Sequence, residues 1–432
     1  MVSLKHIRSL VLLWYGLAAL NPGVLVAAAP PSDAVAPADT LRLADALVAA
    51  REANPRLHAA RYLAAAAQER TSRVGALPDP VLSFGLMNRP LDDFGTDEPM
   101  TMNTIELMQR FPWPGVLGNS EERAEHLAEA TRLDALEAEH ALMARVKSVY
   151  YRLAFIDRAL VIMEETRGLL RDLHQVTSSM YSVGSALQQD VLQAEVAVAQ
   201  MSEDITVMTQ ERLAAAARLN ALMGREATVP VGATEFSGIG AELPTVDSLM
   251  SLAVEGRPAL QAVQQRSLAA DASYRAARRE NYPDVAVRLA YNQRPQFTDM
   301  MTLMVGVSLP LWGGSRSVPL TSEADALRSM EEARALEAYN ETFALLAELR
   351  AQAERARHLA RLYTTSILPQ ARASVESSLS AYRVGRVDYM TVLANQMTVN
   401  RYEIETVRLA AEYHRAVAEI DALLGGAAGG TQ

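Results

Sequence analysis

Two hydrophobic periods alternate along this chain. Leu142, Val146, Val149, Leu153, Ile156, Leu160 and Met163 follow one another at spacings of 4 and 3, and Leu349, Ala353, Ala356, Ala360, Tyr363 and Ile367 continue the same rule. The spacing returns in Leu187, Val191, Ala194, Val198, Met201, Ile205 and Met208, and in Leu393, Met397, Asn400, Ile404, Val407, Ala411 and His414. Such seams predict long helices paired as antiparallel coiled coils, over about 117–182 with 186–223 and about 317–383 with 387–424. Sixty-five helical residues would reach roughly 100 Å. Ahead of each long pair the period drops to two. Leu82, Phe84 and Leu86 oppose Ser83 and Gly85, and Val285, Val287, Leu289 and Tyr291 oppose Ala286, Arg288, Ala290 and Asn292. Four strands are predicted, at about 81–88, 102–110, 285–293 and 302–310, each long enough for a tilted strand to cross a bilayer.

The two periods recur because half of the chain is written twice. Tyr181-Ser-Val183-Gly184 returns as Tyr382-Arg-Val384-Gly385, Ala221-Leu-Met-Gly224 as Ala422-Leu-Leu-Gly425, Pro78-Asp79 as Pro283-Asp284, Arg89-Pro90 as Arg294-Pro295, and Trp113-Pro-Gly115 as Trp312-Gly-Gly314. All five lie in the same order at offsets of about 200 residues, which chance does not readily produce. The expected organisation is a first repeat over 41–224, a linker over 225–247, a second repeat over 248–424 and a flexible tail over 425–432. The fold class expected is mainly α with a small transmembrane β part, in tandem repeat.

Four strands cannot close a barrel, and open edges left in lipid cost several kcal/mol per unpaired backbone group. Other copies must supply the remaining strands. Two copies give eight strands, whose interior side chains fill, whereas three give twelve and a water-filled lumen. A cyclic homotrimer is the smallest assembly that suits inward polar residues such as Glu106, Arg288 and Asn292.

Composition narrows the function. The formal net charge is −10 with no basic block, so nucleic acid is not an expected partner. The absence of cysteine excludes disulfides, thiolate metal sites and thiol nucleophiles. Lys5, His6 and Arg8 precede an uncharged run ending in Ala27, Ala28 and Ala29, which reads as a signal peptide over 1–28 followed by a linker over 29–40. No nucleophile elbow, phosphate loop or His-Glu-x-x-His occurs, and the seven histidines have no metal-ligand spacing, so neither an enzyme nor a cofactor is expected. Met87, Met100, Met102, Met108, Met300, Met301 and Met304 gather around the strands. Thioethers suit Cu(I), but adaptable filler at strand ends is the plainer account.

The signal peptide, the doubled helix-strand-strand-helix-helix unit and the turns Tyr-Ser-Val-Gly and Tyr-Arg-Val-Gly together resemble the TolC-like outer-membrane efflux proteins, over essentially the whole mature chain. The resemblance implies a homotrimeric duct in the outer membrane of a Gram-negative bacterium: a twelve-stranded β-barrel, a long periplasmic α-barrel, and an end that docks a periplasmic adaptor and an inner-membrane pump. Residues 78–88, 98–102 and 111–115 are similar to members serving heavy-metal cation pumps. Drug efflux or polypeptide secretion is the alternative cargo, and a non-conducting periplasmic coiled-coil scaffold the alternative of another class. Adaptor docking is expected at the turns Val183-Gly184-Ser185 and Val384-Gly385-Arg386, and segments 89–101 and 294–298 are expected outside the cell. The family's gate implies a bond between Tyr382 and Asp190, with Arg386 and Asp388 beside it. Its arginine position holds Val387 and its aspartate-ring positions hold Thr391 and Ala394, a departure that argues against a cation-binding ring of the usual kind.

Overall fold

The computed structural model describes residues 40–91, 95–234, 238–309, 311 and 313–426. The signal peptide, nearly all of the 29–40 linker, Trp312 and the tail after 426 lie outside the described residues. In the first repeat, β1 (Thr40–Leu41) precedes α1 (Leu43–Ala53), α2 (Pro55–Gly75), β2 (Val81–Met87), β3 (Met102–Phe111), α3 (Val116–Ser182) and α4 (Gln188–Leu222). In the second, β4 (Ala233–Thr234) precedes α5 (Val246–Gly256), α6 (Pro258–Arg279), β5 (Val285–Gln293), β6 (Met300–Val307), α7 (Gly313–Leu362), a π-helical turn (Tyr363–Ile367), α8 (Leu368–Arg383) and α9 (Tyr389–Leu423).

Proline sets the breaks between the paired short helices. Pro55 and Pro258 each open the second helix, where a missing N–H leaves nothing unsatisfied. Asn54 caps the first break by accepting from the N–H groups of Arg56 and Leu57 at 3.0 and 3.2 Å. At the second, Arg257 offers no cap and its guanidinium reaches Glu137 and Thr342 on the long helices.

The four long strands form one antiparallel sheet in the order β2-β3-β5-β6, so the β3–β5 pairing joins the two repeats. The ladder is continuous, with Val81, Met108, Arg288 and Met304 in one row and Ser83, Glu106, Ala290 and Thr302 in the next. Alternation therefore sorts Leu82, Phe84, Ile105, Leu289, Leu303 and Val305 onto one face and Ser83, Glu106, Arg288, Asn292 and Thr302 onto the other. The apolar face is bare, with Phe84 75% and Leu303 69% exposed, a band that lipid covers and water does not tolerate. Among the described residues β2 and β6 have unpaired outer edges. The last strand runs Met300–Val307 and not 302–310. Asn292 pairs with Met300 at one end, and at the other the Asp284 N–H donates to Ser308 Oγ at 3.0 Å, closing the ladder.

Helix α3 is 67 residues long, about 100 Å at the usual rise. Leu142, Val146, Leu153 and Ile156 of its seam are buried against Ala215 and Leu219 of α4, and Met163 and Leu170 against Ala197, Met201 and Ile205. In the second repeat Ala353, Ala356 and Ala360 pack on Leu409, Tyr413 and Ala416. The two hairpins meet where Leu173 and Ala194 are buried with Tyr382, Tyr389 and Val392.

The helix expected over 317–383 begins earlier, at Gly313, and is interrupted by the π turn at Tyr363–Ile367. Pro369 has no N–H for the Thr365 carbonyl four residues earlier, and a wider turn absorbs that misfit. The Thr364 and Thr365 hydroxyls bond back to the carbonyls of Ala360 and Arg361 at 2.9 and 2.8 Å. The first repeat has no such break in α3.

Candidate functional site

Both hairpin tips are built the same way. Gly184 (φ +75°) and Gly385 (φ +68°) take the left-handed conformation that ends a helix. The Gly184 N–H donates to Tyr181 O at 2.9 Å and Ser185 to Met180 O at 2.8 Å. Gly385 and Arg386 repeat the pattern on Tyr382 and Ala381, both at 2.9 Å. Val183 and Val384 consequently project as apolar knobs, 75% and 68% exposed. Beside the tips Gln189, Leu192, Gln193, Val196, Met390 and Leu393 line a groove of about 550 Å³.

The candidate gate residues sit behind these turns, but not in the expected pairing. Tyr382 is buried and its hydroxyl donates to Thr177 Oγ1 at a long 3.4 Å. Asp190 instead accepts from the Leu187 N–H at 3.4 Å, three residues back in its own chain segment. Within the protomer, therefore, each helix start takes the nearest carboxylate as a cap, and the phenol finds a threonine. Asp388 does the same for α9, accepting from the Thr391 N–H at 2.9 Å and its hydroxyl at 2.5 Å. Those bonds hold the exposed Asp388 carboxyl below its ordinary range, so the cap contributes above the unfolded carboxyl's titration and is lost as pH falls through the folded one. Arg386 is exposed at the tip.

Tyr389 escaped the sequence reading because Gln188, its counterpart in the first repeat, is polar. It is fully buried, its ring edge-on to Tyr382 at 6.1 Å, and among the described residues its hydroxyl has no hydrogen-bond partner. Burial, then the neighbouring Tyr382 and Asp190, push this phenol up to about 12. An orphaned buried hydroxyl costs about 1–3 kcal/mol.

At the other end, Glu106, Arg288 and Asn292 share the polar sheet face. Thr104 donates to Asn292 Oδ1 at 2.8 Å and Asn292 Nδ2 donates to Thr302 Oγ1 at 3.1 Å, a polar strip running across three strands. Arg288 and Glu106 approach to 4.0 Å. Where the strands end, Trp113 stacks on Tyr282 at 5.1 Å and 12°, the aromatic pairing that suits a membrane interface. Among the described residues no helix is long and apolar enough to cross a membrane, and no three His, Asp or Glu side chains gather as a metal site.

This architecture, a bare apolar sheet band joined to long paired helices, is that of an outer-membrane duct. The family described as Outer membrane efflux protein matches residues 46–225 and 249–426, one match per repeat, and the chain belongs to that family. It is thus an outer-membrane efflux channel of the Gram-negative type and not an enzyme. No curated protein matches the chain by sequence. Among solved structures, VceC of Vibrio cholerae is 16% identical over 89% of this chain and 96% of its own, with a TM-score of 0.76. CusC is 15% identical over 89% and 92%, at 0.76. The open state of MtrE from Neisseria gonorrhoeae is 16% identical over 89% and 89%, at 0.73. At such identities the likeness is one of fold.

Proposed function

We propose that three copies of this chain form a passive duct through which a periplasmic adaptor and an inner-membrane pump discharge heavy-metal cations to the exterior. The observation that carries it is the four-stranded sheet, apolar on one face, polar on the other and open at both edges. Pairing β6 of one copy with β2 of the next, three times, gives twelve strands and leaves the Glu106, Arg288 and Asn292 face inside. The connections 89–101 and 294–298 then face the exterior. The metal cargo rests on the likeness of 78–88, 98–102 and 111–115 to members serving heavy-metal pumps. A deletion strain should be hypersensitive to copper, zinc or cobalt salts; hypersensitivity confined to dyes and antibiotics would overturn that cargo.

Docking is assigned to the knobs Val183 and Val384 with Gly184, Ser185, Gly385 and Arg386. Because the natural chain has no cysteine, Val384→Cys carries the sole thiol. Detergent extracts should contain a trimer of roughly 130 kDa, three mature chains, and this thiol should crosslink to the adaptor in cells. A detergent-free monomer with native helicity would overturn the assembly, and a trimer without crosslinks the docking site.

The gate is assigned to the junction behind the tips, with Tyr382 buried in it, Asp190 half-buried at its margin and the exposed Arg386 and Asp388 beside it. Tyr382→Phe with Asp190→Ala weakens two ties there and is expected to raise single-channel conductance in planar bilayers. Tyr389→Phe relieves the orphaned hydroxyl, stabilises the arrangement described and should make openings rarer. If neither variant changes the recordings, the junction is structural only.

A further inference from the structure

The methionines near the strands divide unequally between the two sheet faces. The register carries Met87, Met102, Met108, Met300 and Met304 onto the same face as Glu106 and Arg288, and leaves Met301 on the apolar face with Leu303. The two faces use different apolar chemistry. The lipid-side face takes leucine, valine, isoleucine, phenylalanine and Tyr291, with Met301 as its one methionine. The opposite face of the four paired strands carries no leucine, isoleucine or aromatic residue at all; apart from Val81, its large apolar side chains are thioethers.

Filler fills something, yet Met87, Met300 and Met304 are 46%, 53% and 52% exposed within the protomer. Exposed hydrocarbon on a wet lumen wall costs free energy that serine or threonine would avoid. Sulfur on that wall has one property the cheaper residues lack, which is affinity for soft cations.

We propose that the barrel lumen holds a soft monovalent cation of the Cu(I) or Ag(I) class in transit, with the directly opposed Met87 and Met102 as its primary ligand pair. Directly opposed side chains start about 4.5–5.5 Å apart at Cβ, so two flexible thioethers reach a single ion between them. Met300 is committed otherwise in this arrangement, its sulfur accepting from Arg294 Nη1 at 3.4 Å. Met108 and Met304 are each opposed across the strands by Arg288 and not by another methionine. Three copies repeat the Met87–Met102 pair around the pore. A thioether has no proton to release, so binding is independent of pH where a histidine or thiolate site would weaken in acid. The inference rests on the trimeric-barrel reading above, because only closure makes this face a lumen.

The test is equilibrium dialysis of the purified full-length trimer against silver(I) nitrate at pH 5 and pH 7, with zinc(II) nitrate as the comparison ion. The wild-type trimer should bind silver equally at both pH values and zinc at least tenfold more weakly. Met87→Leu with Met102→Leu conserves volume and should weaken silver binding at least tenfold, while Met301→Leu changes nothing. Silver binding that survives the double substitution, or that Met301→Leu abolishes equally, overturns the site. So does wild-type protein that takes zinc as well as silver, a result that needs no variant to fold. If no trimer is recovered, the barrel reading fails instead; if the trimer binds silver but the deletion strain tolerates metals, the cargo fails and the site stands.

Discussion

Gly425→Ala should sharply reduce the amount of assembled channel, whereas Gly385→Ala, at nearly the same backbone conformation, should barely change it. The φ values are +69° and +68°, so both substitutions carry the roughly 1–2 kcal/mol left-handed penalty of any side chain. Their surroundings differ. A Cβ on Gly385 meets nothing within 4 Å, while one on Gly425 would be driven into the carbonyl oxygen of Gly256, which is backbone and cannot rotate away. Gly224 repeats the arrangement in the first repeat, its added Cβ lying 2.5 Å from Ala53 O. At each repeat's end the long hairpin is thus pressed onto the short-helix pair that opened it, and glycine permits the approach. Forcing that contact apart adds about 1–3 kcal/mol of overpacking. Heat-resistant trimer on gels and the chemical-denaturation midpoint both report the difference. Equal losses in the two variants would show that conformation alone, and not the backbone contact, matters there.

The same glycines show what could be read from sequence and what could not. The repeat placed Gly224 against Gly425 and Gly184 against Gly385, but conformation and surroundings are separate facts, and a motif carries only the first. Periodicity served well wherever one face of an element is buried or lipid-facing. The seam Leu142, Val146, Leu153 and Ile156 is buried as its spacing implies, and Leu82, Phe84 and Leu86 share a face because side chains alternate. It failed where a local bond outweighs the pattern. The π turn at Tyr363–Ile367 keeps the apolar spacing while one hydrogen-bonding register changes, so hydrophobicity does not register it. The two-residue strands β1 and β4 pair Thr40 with Ala233 and Leu41 with Thr234 across nearly two hundred positions, too short for any period. For the gate, resemblance supplied the residue types, yet Asp190 and Tyr382 each bond to a nearer partner. Tyr389, fully buried at that junction, has the polar Gln188 as its counterpart in the first repeat, so the repeat did not mark it.

Adjacent residues on β6 give the sharpest test of which sheet face meets lipid. Leu303 pairs with Leu289 on the apolar face, and Thr302 pairs with Ala290 on the polar one, in the same stretch of one strand. An arginine on the lipid face near the bilayer midplane costs about 2–4 kcal/mol, and a trimer carries it three times, roughly 6–12 kcal/mol in all. That is comparable with the whole stability of a typical domain. Leu303→Arg is therefore expected to abolish outer-membrane trimer, leaving the chain aggregated or degraded in the periplasm. Thr302→Arg adds the same charge one residue away, where the lumen supplies water and Glu106 lies in the same row. It should assemble normally and act on the traffic instead: three added positive charges inside the pore should lower cation conductance relative to anion conductance in planar bilayers. Trimer recovery from membrane fractions reads the first effect, and reversal potential in a salt gradient the second. If Leu303→Arg assembles and Thr302→Arg does not, the sheet is turned inside out, and the methionine-bearing face would be the one in lipid.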